Sequence, residues 1–210
     1  RIVQGLIKKL VLVEKLNAAA LGFTGPDLVA YVNGSAEPAS ALAVWSYLAL
    51  TTLSTDLEFS AYSDMAMGAM LLFGIRIGEN FEYPLLATNI LDFWRRWHMS
   101  LTNWCRAYVY MPLIGITRNP YMSVVLTFVL VGLWHAANLH WLAWGLWHGL
   151  GQAGCVLWGR FAQKAKIRFF RTAAGRVVGW ALTMGYVFLG GSLVAFSGVS
   201  GLGDSFRLMA

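Results

Sequence analysis

The chain has 210 residues, of which 58% are hydrophobic and only 12% are charged. A soluble domain carries about 25% charged residues, so this composition and the mean hydropathy of +0.57 argue against such a domain and predict an integral membrane protein. The net charge of +6 does not indicate nucleic-acid binding, because the basic residues lie beside apolar runs rather than along one polar face. We therefore expect a lipid bilayer, and no nucleic acid, as a partner.

Three apolar regions predict membrane helices, at 41–55, 121–158 and 177–199. The second region contains two helices, 121–136 and 141–158, because a polar break at 138–140 divides it. A helix of 16 residues covers about 24 Å, which is less than a hydrocarbon core of about 30 Å. The turn between these two helices is therefore predicted to lie below the membrane surface and to bury His135.

The orientation of these helices follows from the distribution of basic residues. The segment 160–176 contains six Lys and Arg residues and no acidic residue, so the positive-inside rule predicts that it is cytoplasmic. The helix 121–136 then runs outward, which places Arg106 and Arg118 on the cytoplasmic side as well. The last helix, 177–199, runs outward again and leaves Asp204 outside.

The stretch 56–120 is apolar but is interrupted by charged residues. We interpret 60–77 as a short membrane helix and 85–107 as a helix at or within the membrane interface. Pro112 ends an extended piece after that helix. The predicted fold is all-α, a polytopic transmembrane helical bundle with short and re-entrant or interfacial helices. The two cysteines lie far apart without metal-ligand spacing, so no metal site is predicted.

The densest chemical motif is DFWRRWH at 92–98. On one helix, Trp94 and His98 would stack at i,i+4 while Arg95 and Arg96 point elsewhere. One interpretation is an interfacial helix, with Trp94 and Trp97 at the lipid headgroups and the arginines reaching water or phosphate. The other is a cavity wall that orients an anionic or sugar-like ligand. In that interpretation the four residues between Phe93 and His98 are candidates for substrate binding.

A second motif, GLWHAANLHWLAWGLWHG at 132–149, combines histidines with four tryptophans. Its candidate residues are His135, His140, His148, Trp134 and Asn138. Ionisable residues within a membrane are costly and usually functional, and imidazole exchanges a proton near neutral pH, so His135 is the best-placed candidate base. The alternative is a packing role, which suits His140 and His148 better. Zinc is disfavoured because no carboxylate or cysteine joins these histidines at ligand spacing; a haem pair stays open.

The third motif is EFSAYSD at 58–64. An aspartate inside a membrane helix needs a partner, and Arg76, Arg95 or Arg96 could supply it. Asp64 then has two possible roles, either in an ion pair that fixes helix register or in substrate binding at the site.

These motifs, in this order, resemble those of the membrane-bound O-acyltransferase (MBOAT) family, in its bacterial branch that includes alginate O-acetylation proteins. The matching stretches are GLIKKLVLVEKL at 5–16, FSAYSDMAMGAMLLFGIRIGENF at 59–81, DFWRRWHMSLTNWCRAYVYMPL at 92–113, GLWHAANLHWLAWGLWHG at 132–149 and SFRLMA at 205–210. Within them, His135 matches the essential histidine of the family and His98 the second histidine of this branch. The chain departs from the family pattern at Ala107 and Ala136, where an acidic residue and a glycine are usual.

The resemblance implies an O-acyltransferase that moves an acyl group, most simply acetyl, from a cytoplasmic thioester toward hydroxyls of an exported polysaccharide such as alginate. The donor would be acetyl-CoA or an acyl carrier protein, with no bound cofactor. A periplasmic or extracellular acetyltransferase is an expected partner, and the expected location is the bacterial inner membrane, with several membrane passes. Residues 1–210 would form a single MBOAT-like domain, the C-terminal part of a longer chain.

Acyl transfer needs a base for the hydroxyl proton and a donor for the developing oxyanion. His135 suits the base, and His98, Asn138 or a tryptophan indole could orient the thioester carbonyl. Two other classes of protein stay open. A transporter would also keep charges and histidines within a membrane, and a non-catalytic assembly subunit of a polysaccharide-modification complex would tolerate replacement of both histidines.

Overall fold

A computed structural model describes residues 1–20 and 40–195 of the chain. All regular secondary structure in these two ranges is helical, which confirms the all-α prediction. The end of the predicted helix at 177–199, Asp204 and the motif at 205–210 lie outside the described residues. The described residues up to Asn80 form one compact unit, and those from Phe81 onward form a second.

The first unit consists of two helices. Helix α1 is α-helical over Ile2–Ile7, π-helical over Lys8–Val13 and α-helical again over 14–20. Helix α2 spans Ala41–Leu72, and the Ser40 hydroxyl caps its first turn by accepting the N–H of Ala43 at 3.2 Å. The predicted division into 41–55 and 60–77 is therefore wrong, because no proline or glycine interrupts the helix before Gly68.

Cations of α1 neutralise two carboxylates that α2 carries in mid-helix, Glu58 and Asp64. Asp64 is 2% exposed, and its two oxygens accept hydrogen bonds from Arg1 at 2.5 Å and Lys8 at 2.6 Å. Lys9 pairs with Glu58 one turn and a half earlier along α2. Because Arg1 and Lys8 supply the charge, the prediction that Arg76, Arg95 or Arg96 pairs with Asp64 is wrong. The ion-pair interpretation of Asp64 fits these contacts.

The second unit contains six helices and two short 3₁₀ turns within the described residues. The helices are α3 (Ile90–Arg96), α4 (Met99–Cys105, continued by a π-helical turn at Arg106–Tyr110), α5 (Met111–Thr117), α6 (Pro120–His135), α7 (Leu139–Lys164) and α8 (Ala173–Ala195). The 3₁₀ turns are Pro84–Leu86 and Phe169–Arg171. The core lies where α3, α6 and α8 meet, around Phe93, Trp94, Phe128, Met184 and Val187.

The predicted interfacial helix at 85–107 is two helices with a break at Trp97-His98. The side chain of Asn89 caps the first of them by accepting the N–H of Asp92 at 2.8 Å. The piece that was predicted to be extended before Pro112 is helical, because the chain continues from α4 through the π-helical turn Arg106–Tyr110 directly into α5. Pro112 lacks an N–H for the helix, and the π-helical turn lies immediately before it.

Helices α6 and α7 form an antiparallel hairpin with very close backbone contact. A Cβ atom at Gly132 would lie 2.2 Å from the carbonyl oxygen of Trp141, and one at Gly145 would lie 2.5 Å from that of Phe128. Small residues allow membrane helices to approach in this way. The predicted pair at 121–136 and 141–158 is confirmed, with the break at 136–138 and with α7 extending further, to Lys164.

By length and composition, α8 is the one helix among the described residues that could cross a membrane. It overlaps the predicted helix at 177–199. Helix α6 is also apolar but has only 16 residues, as the sequence indicates. The several membrane passes expected from the sequence remain a prediction.

Candidate active site

His135 is the last residue of α6, and the chain turns back within the next three residues. Ala136 has extended backbone angles, φ −161° and ψ 137°, that end the helix. Any residue adopts these angles, so alanine meets the requirement at this position where relatives of the resembled family use glycine. No helical turn follows His135 to cover it, and its ring is exposed on this chain. The predicted position of the turn below the membrane surface, which would bury His135 in the membrane, stays a prediction.

Indole rings surround His135 on several sides. Its ring stacks on Trp141, with centroids 4.5 Å apart and planes 17° apart. The rings of Trp144 and Trp134 approach edge-on, at 6.0 Å and 4.8 Å. The indole face carries partial negative charge and attracts a cation above it. A stacked Trp141 therefore stabilises the imidazolium that His135 becomes when it accepts a proton.

His98 lies between α3 and α4 in a left-handed conformation, φ 45° and ψ 55°. Such angles cost a non-glycine residue about 1 kcal/mol, and two hydrogen bonds of Thr102 hold them here. The backbone N–H of Thr102 donates to the His98 carbonyl oxygen at 3.0 Å, and the Thr102 hydroxyl donates to the Trp97 carbonyl oxygen at 3.3 Å. Because α3 ends at Arg96, Trp94 and His98 do not share one helix, and their predicted i,i+4 stacking is wrong.

The two histidines interact electrostatically. Burial lowers the pKa of His98, and the charge of His135 lowers this pKa further. Two imidazoles affect each other in this way only when they lie near one another. The structure thus brings together the two histidines that the sequence singled out from separate motifs.

Arg95 and Arg96 share one carboxylate. Exposed Arg95 pairs with Asp92, and the Nε atom of Arg96 lies 3.0 Å from the same side chain. Arg96 also donates to the carbonyl oxygen of Glu82 at 3.3 Å. These contacts neutralise part of the charge expected to meet an anionic ligand, and a direct role in binding stays a prediction.

Trp94 and Trp97 have packing contacts. Trp94 is 7% exposed, donates from its indole N–H to His148 at 3.4 Å and packs edge-on against Phe128 at 4.8 Å. Trp97 stacks on Phe93, with centroids 5.7 Å apart. Both rings fix α3 in the core, so contact of either with a substrate stays a prediction.

The remaining predicted residues divide by position. Asn138 caps α7, accepting the N–H of Trp141 at 3.0 Å, and so holds the ring that stacks on His135. Exposed Trp134 flanks His135, whereas Asp64 belongs to the first unit. Buried His140 contacts the Leu193 carbonyl at 2.8 Å through its Nδ1 atom, as the packing interpretation requires.

The sequence did not single out Trp141 and Trp144. Their signal is a run of tryptophans at three-residue spacing from the start of α7, which places them on one side of that helix. In the part of the chain that the structure describes, no cluster of three or more His, Cys, Asp or Glu side chains could hold a metal ion.

These features define the class of protein. The family model of the membrane-bound O-acyltransferases (MBOAT) matches residues 34–196, which include both histidines and their tryptophan neighbours. The chain belongs to this family, as its motifs indicate, and is therefore part of a membrane protein.

Similar proteins narrow the family to one branch. The chain is 39% identical to the probable alginate O-acetylase AlgI of Pseudomonas putida over 153 residues, which are 71% of this chain and 30% of that protein. It is 32% identical to the peptidoglycan O-acetyltransferase of Helicobacter pylori, over 88% of this chain and 33% of that protein. The teichoic acid D-alanyltransferase of Bacillus subtilis is 35% identical to the chain, over 44% of this chain and 26% of that protein. The chain thus spans about a third of the length of the curated relatives it matches.

The stacked indole is expected to matter more than the edge-on indole. Replacing Trp141 by leucine keeps an apolar side chain but removes the face on which His135 lies, so we expect polysaccharide acylation to fall about tenfold, the equivalent of a cation–π contact of roughly 1–2 kcal/mol. Replacing exposed Trp134 by leucine is the matched control and should change acylation less than threefold, about 0.5 kcal/mol. Ester content of the polymer, normalised to membrane-inserted protein, measures both. Equal losses in the two variants would contradict the stacking role.

The lowered pKa of His98 predicts a pH-dependent stability. The unfolded chain takes up a proton near pH 6.5, whereas the folded protein does so at lower pH. The contribution of His98 to stability is therefore fully present above about pH 6.5 and is lost as the pH falls below it. The variant His98→Asn, which tolerates left-handed angles, should lose less stability on acidification. Melting temperatures of both full-length proteins between about pH 5 and 7.5 test this. Identical pH slopes would show that His98 makes no such contribution.

Proposed function

We propose that this chain provides the acyl-transfer site of a membrane-bound O-acetyltransferase that modifies an exported polysaccharide such as alginate. The observation that carries the proposal is the stacking of exposed His135 on Trp141 within electrostatic reach of His98. The family match covers these residues, and the names of the relatives point to acyl transfer onto cell-surface polymers. The co-substrate is an acyl thioester, either acetyl-CoA or an acyl carrier protein, with no bound cofactor.

The proposed reaction uses His135 as the general base. Its imidazole takes the proton of a polymer hydroxyl as the hydroxyl oxygen attacks the thioester carbonyl carbon. The tetrahedral intermediate collapses with cleavage of the carbon–sulfur bond, and the leaving thiolate takes the proton from the imidazolium. The Trp141 face stabilises the cationic form between these steps. The ring of His98 supplies an N–H to the developing oxyanion, and Asn138 positions Trp141.

The site is proposed to lie between two compartments. The basic segment 160–176 faces the cytoplasm, where the thioester is made, and His135 is reached from the exported polymer. This requires a multi-pass protein of the bacterial inner membrane. A periplasmic or extracellular acetyltransferase that receives the acyl group is a further proposed partner.

Deleting the gene and restoring the full-length protein tests the proposed function. Ester-linked acetyl groups on each isolated polymer, quantified by NMR, should disappear on deletion and return on restoration. The polymer that loses its acetyl groups on deletion, whether alginate, peptidoglycan or another polymer, is the acceptor. Unchanged acetylation of every polymer would reject the proposal. A full return with both histidines replaced by glutamine would favour an assembly subunit, and thioester flux without esterification would favour a transporter.

A further inference from the structure

A cavity of about 530 Å³ lies inside the second unit, between α3, α4, α6 and α7. Its walls are mainly aliphatic and aromatic, and they include Leu91, Leu101, Val124, Phe128, Val131 and Val156. Several of these residues lie on the face of α6 that continues, one turn beyond Val131, to His135. His135 itself is not part of the cavity wall. The cavity thus lies beside His135 rather than around it, and two residues of the DFWRRWH motif, Trp94 and Arg95, form part of its wall.

The charge in this cavity has one sign. Arg95, Arg106 and Arg160 line it, and none of its lining residues is acidic. Asp92 already pairs with Arg95. The guanidinium carbon of Arg160 lies 5.4 Å from the centre of the Tyr121 ring. Arg106 and Arg160, which have no acidic neighbour in the cavity wall, therefore make the cavity suitable for an anion next to an apolar chain.

A buried amide indicates where the ligand needs a hydrogen-bond acceptor. Gln152 lines the cavity and is 9% exposed, and its Nε2 atom is buried without a hydrogen-bond partner among the described residues. Buried side-chain donors are almost always paired, and a mainly apolar wall offers no substitute. The neighbouring Thr127 hydroxyl is already engaged, because it donates to the Ser123 carbonyl at 2.7 Å.

We infer that this cavity binds one anionic phospholipid. Arg106 and Arg160 bind its phosphate, Gln152 donates to an ester carbonyl, and an acyl chain packs along the apolar face of α6. A phospholipid matches the three features in order, since its charge, its esters and its hydrocarbon follow one another along the molecule. The bound chain fills the space beside the α6–α7 hairpin and so supports the helix that ends at His135. A thioester donor arm, with several amides to satisfy, fits these walls less well.

Lipid retention measures this binding directly. The full-length protein, purified in detergent, is equilibrated with phosphatidylglycerol or phosphatidylcholine, and bound lipid is counted by native mass spectrometry. We expect the wild-type protein to retain phosphatidylglycerol about tenfold more tightly than phosphatidylcholine. Gln152→Leu and Arg160→Gln should each lower the retention of phosphatidylglycerol about tenfold, because each removes one buried or charge-assisted hydrogen bond. Arg168→Gln, a change in the basic segment outside this cavity, is the matched control and should leave retention unchanged.

A filled cavity gives an independent test. Val156→Phe places a ring in the cavity and should abolish phosphatidylglycerol retention. Equal retention of both lipids, wild-type retention in Gln152→Leu, or displacement of the lipid by acetyl-phosphopantetheine would overturn the inference. If Val156→Phe does not yield a monodisperse protein, Gln152→Leu and Arg160→Gln decide the outcome. Because binding is read without activity, failure of this inference leaves the proposed acyl transfer intact.

Discussion

Replacing His135 by glutamine in the full-length protein is expected to lower polysaccharide acylation by about 10²–10⁴-fold, the usual contribution of a positioned general base. Glutamine keeps hydrogen-bonding capacity but cannot take a proton at neutral pH. The ring of His135 is exposed, and the rings around it belong to Trp134, Trp141 and Trp144, so folding should be unaffected. Polymer ester content per unit of inserted protein measures the effect.

The control for this variant is a nearby histidine with a packing role. His140 is buried, and its Nδ1 atom contacts the Leu193 carbonyl. His140→Gln should lower the amount of stable protein while leaving acylation per folded molecule within about threefold of wild type, roughly 0.6 kcal/mol. If His135→Gln kept normal acylation, or if both variants lost activity equally per folded molecule, His135 would not be the base.

Replacing Gly132 by alanine is expected to destabilise the α6–α7 hairpin by about 1–3 kcal/mol, as overpacking of a well-packed core does. The added methyl carbon would lie 2.2 Å from the Trp141 carbonyl oxygen, and the contact is to backbone, which cannot rotate away. The first turn of α7 must therefore shift, and Trp141 moves away from His135 with it. We expect a lower melting temperature together with a loss of acylation.

Gly154→Ala is the matched control, because it makes the same change in a helix interior at a position with nothing within 4 Å of the new carbon. Alanine favours a helix over glycine by about 1 kcal/mol, so this variant should be as stable as wild type or slightly more so. A Gly132→Ala protein with the melting temperature of the control would contradict the close packing that positions Trp141.

Part of this structure is visible in the sequence because it depends on local pattern. Polar residues at 138–140 interrupt an apolar run, and Asn138 is a favourable capping residue, so the hairpin and the position of His135 at a helix end were predictable. The choice of His98 and His135 as candidate site residues followed from the motifs in which they lie. Both inferences need only neighbouring residues.

The parts that the sequence did not reveal depend on contacts between distant residues. Helix α2 accommodates Asp64 and Glu58 in mid-helix because Lys8 and Lys9, more than 40 residues away, pair with them. His98 adopts left-handed angles that are uncommon for any residue other than glycine, supported by hydrogen bonds from Thr102. Trp141 stacks on His135 only because the intervening turn is tight. Hydrophobic periodicity and amino-acid composition do not predict any of these contacts.

The most direct test of the proposed site is acyl transfer by the purified full-length protein in lipid vesicles. Acetyl-labelled thioester is supplied on one side and polysaccharide on the other, and released thiol and polymer-bound ester are measured together. We expect wild-type protein to form ester on the polymer in step with thiol release, and His135→Gln to do neither above background. Ester formation that is undiminished in His135→Gln would contradict the assignment of this histidine as the catalytic base.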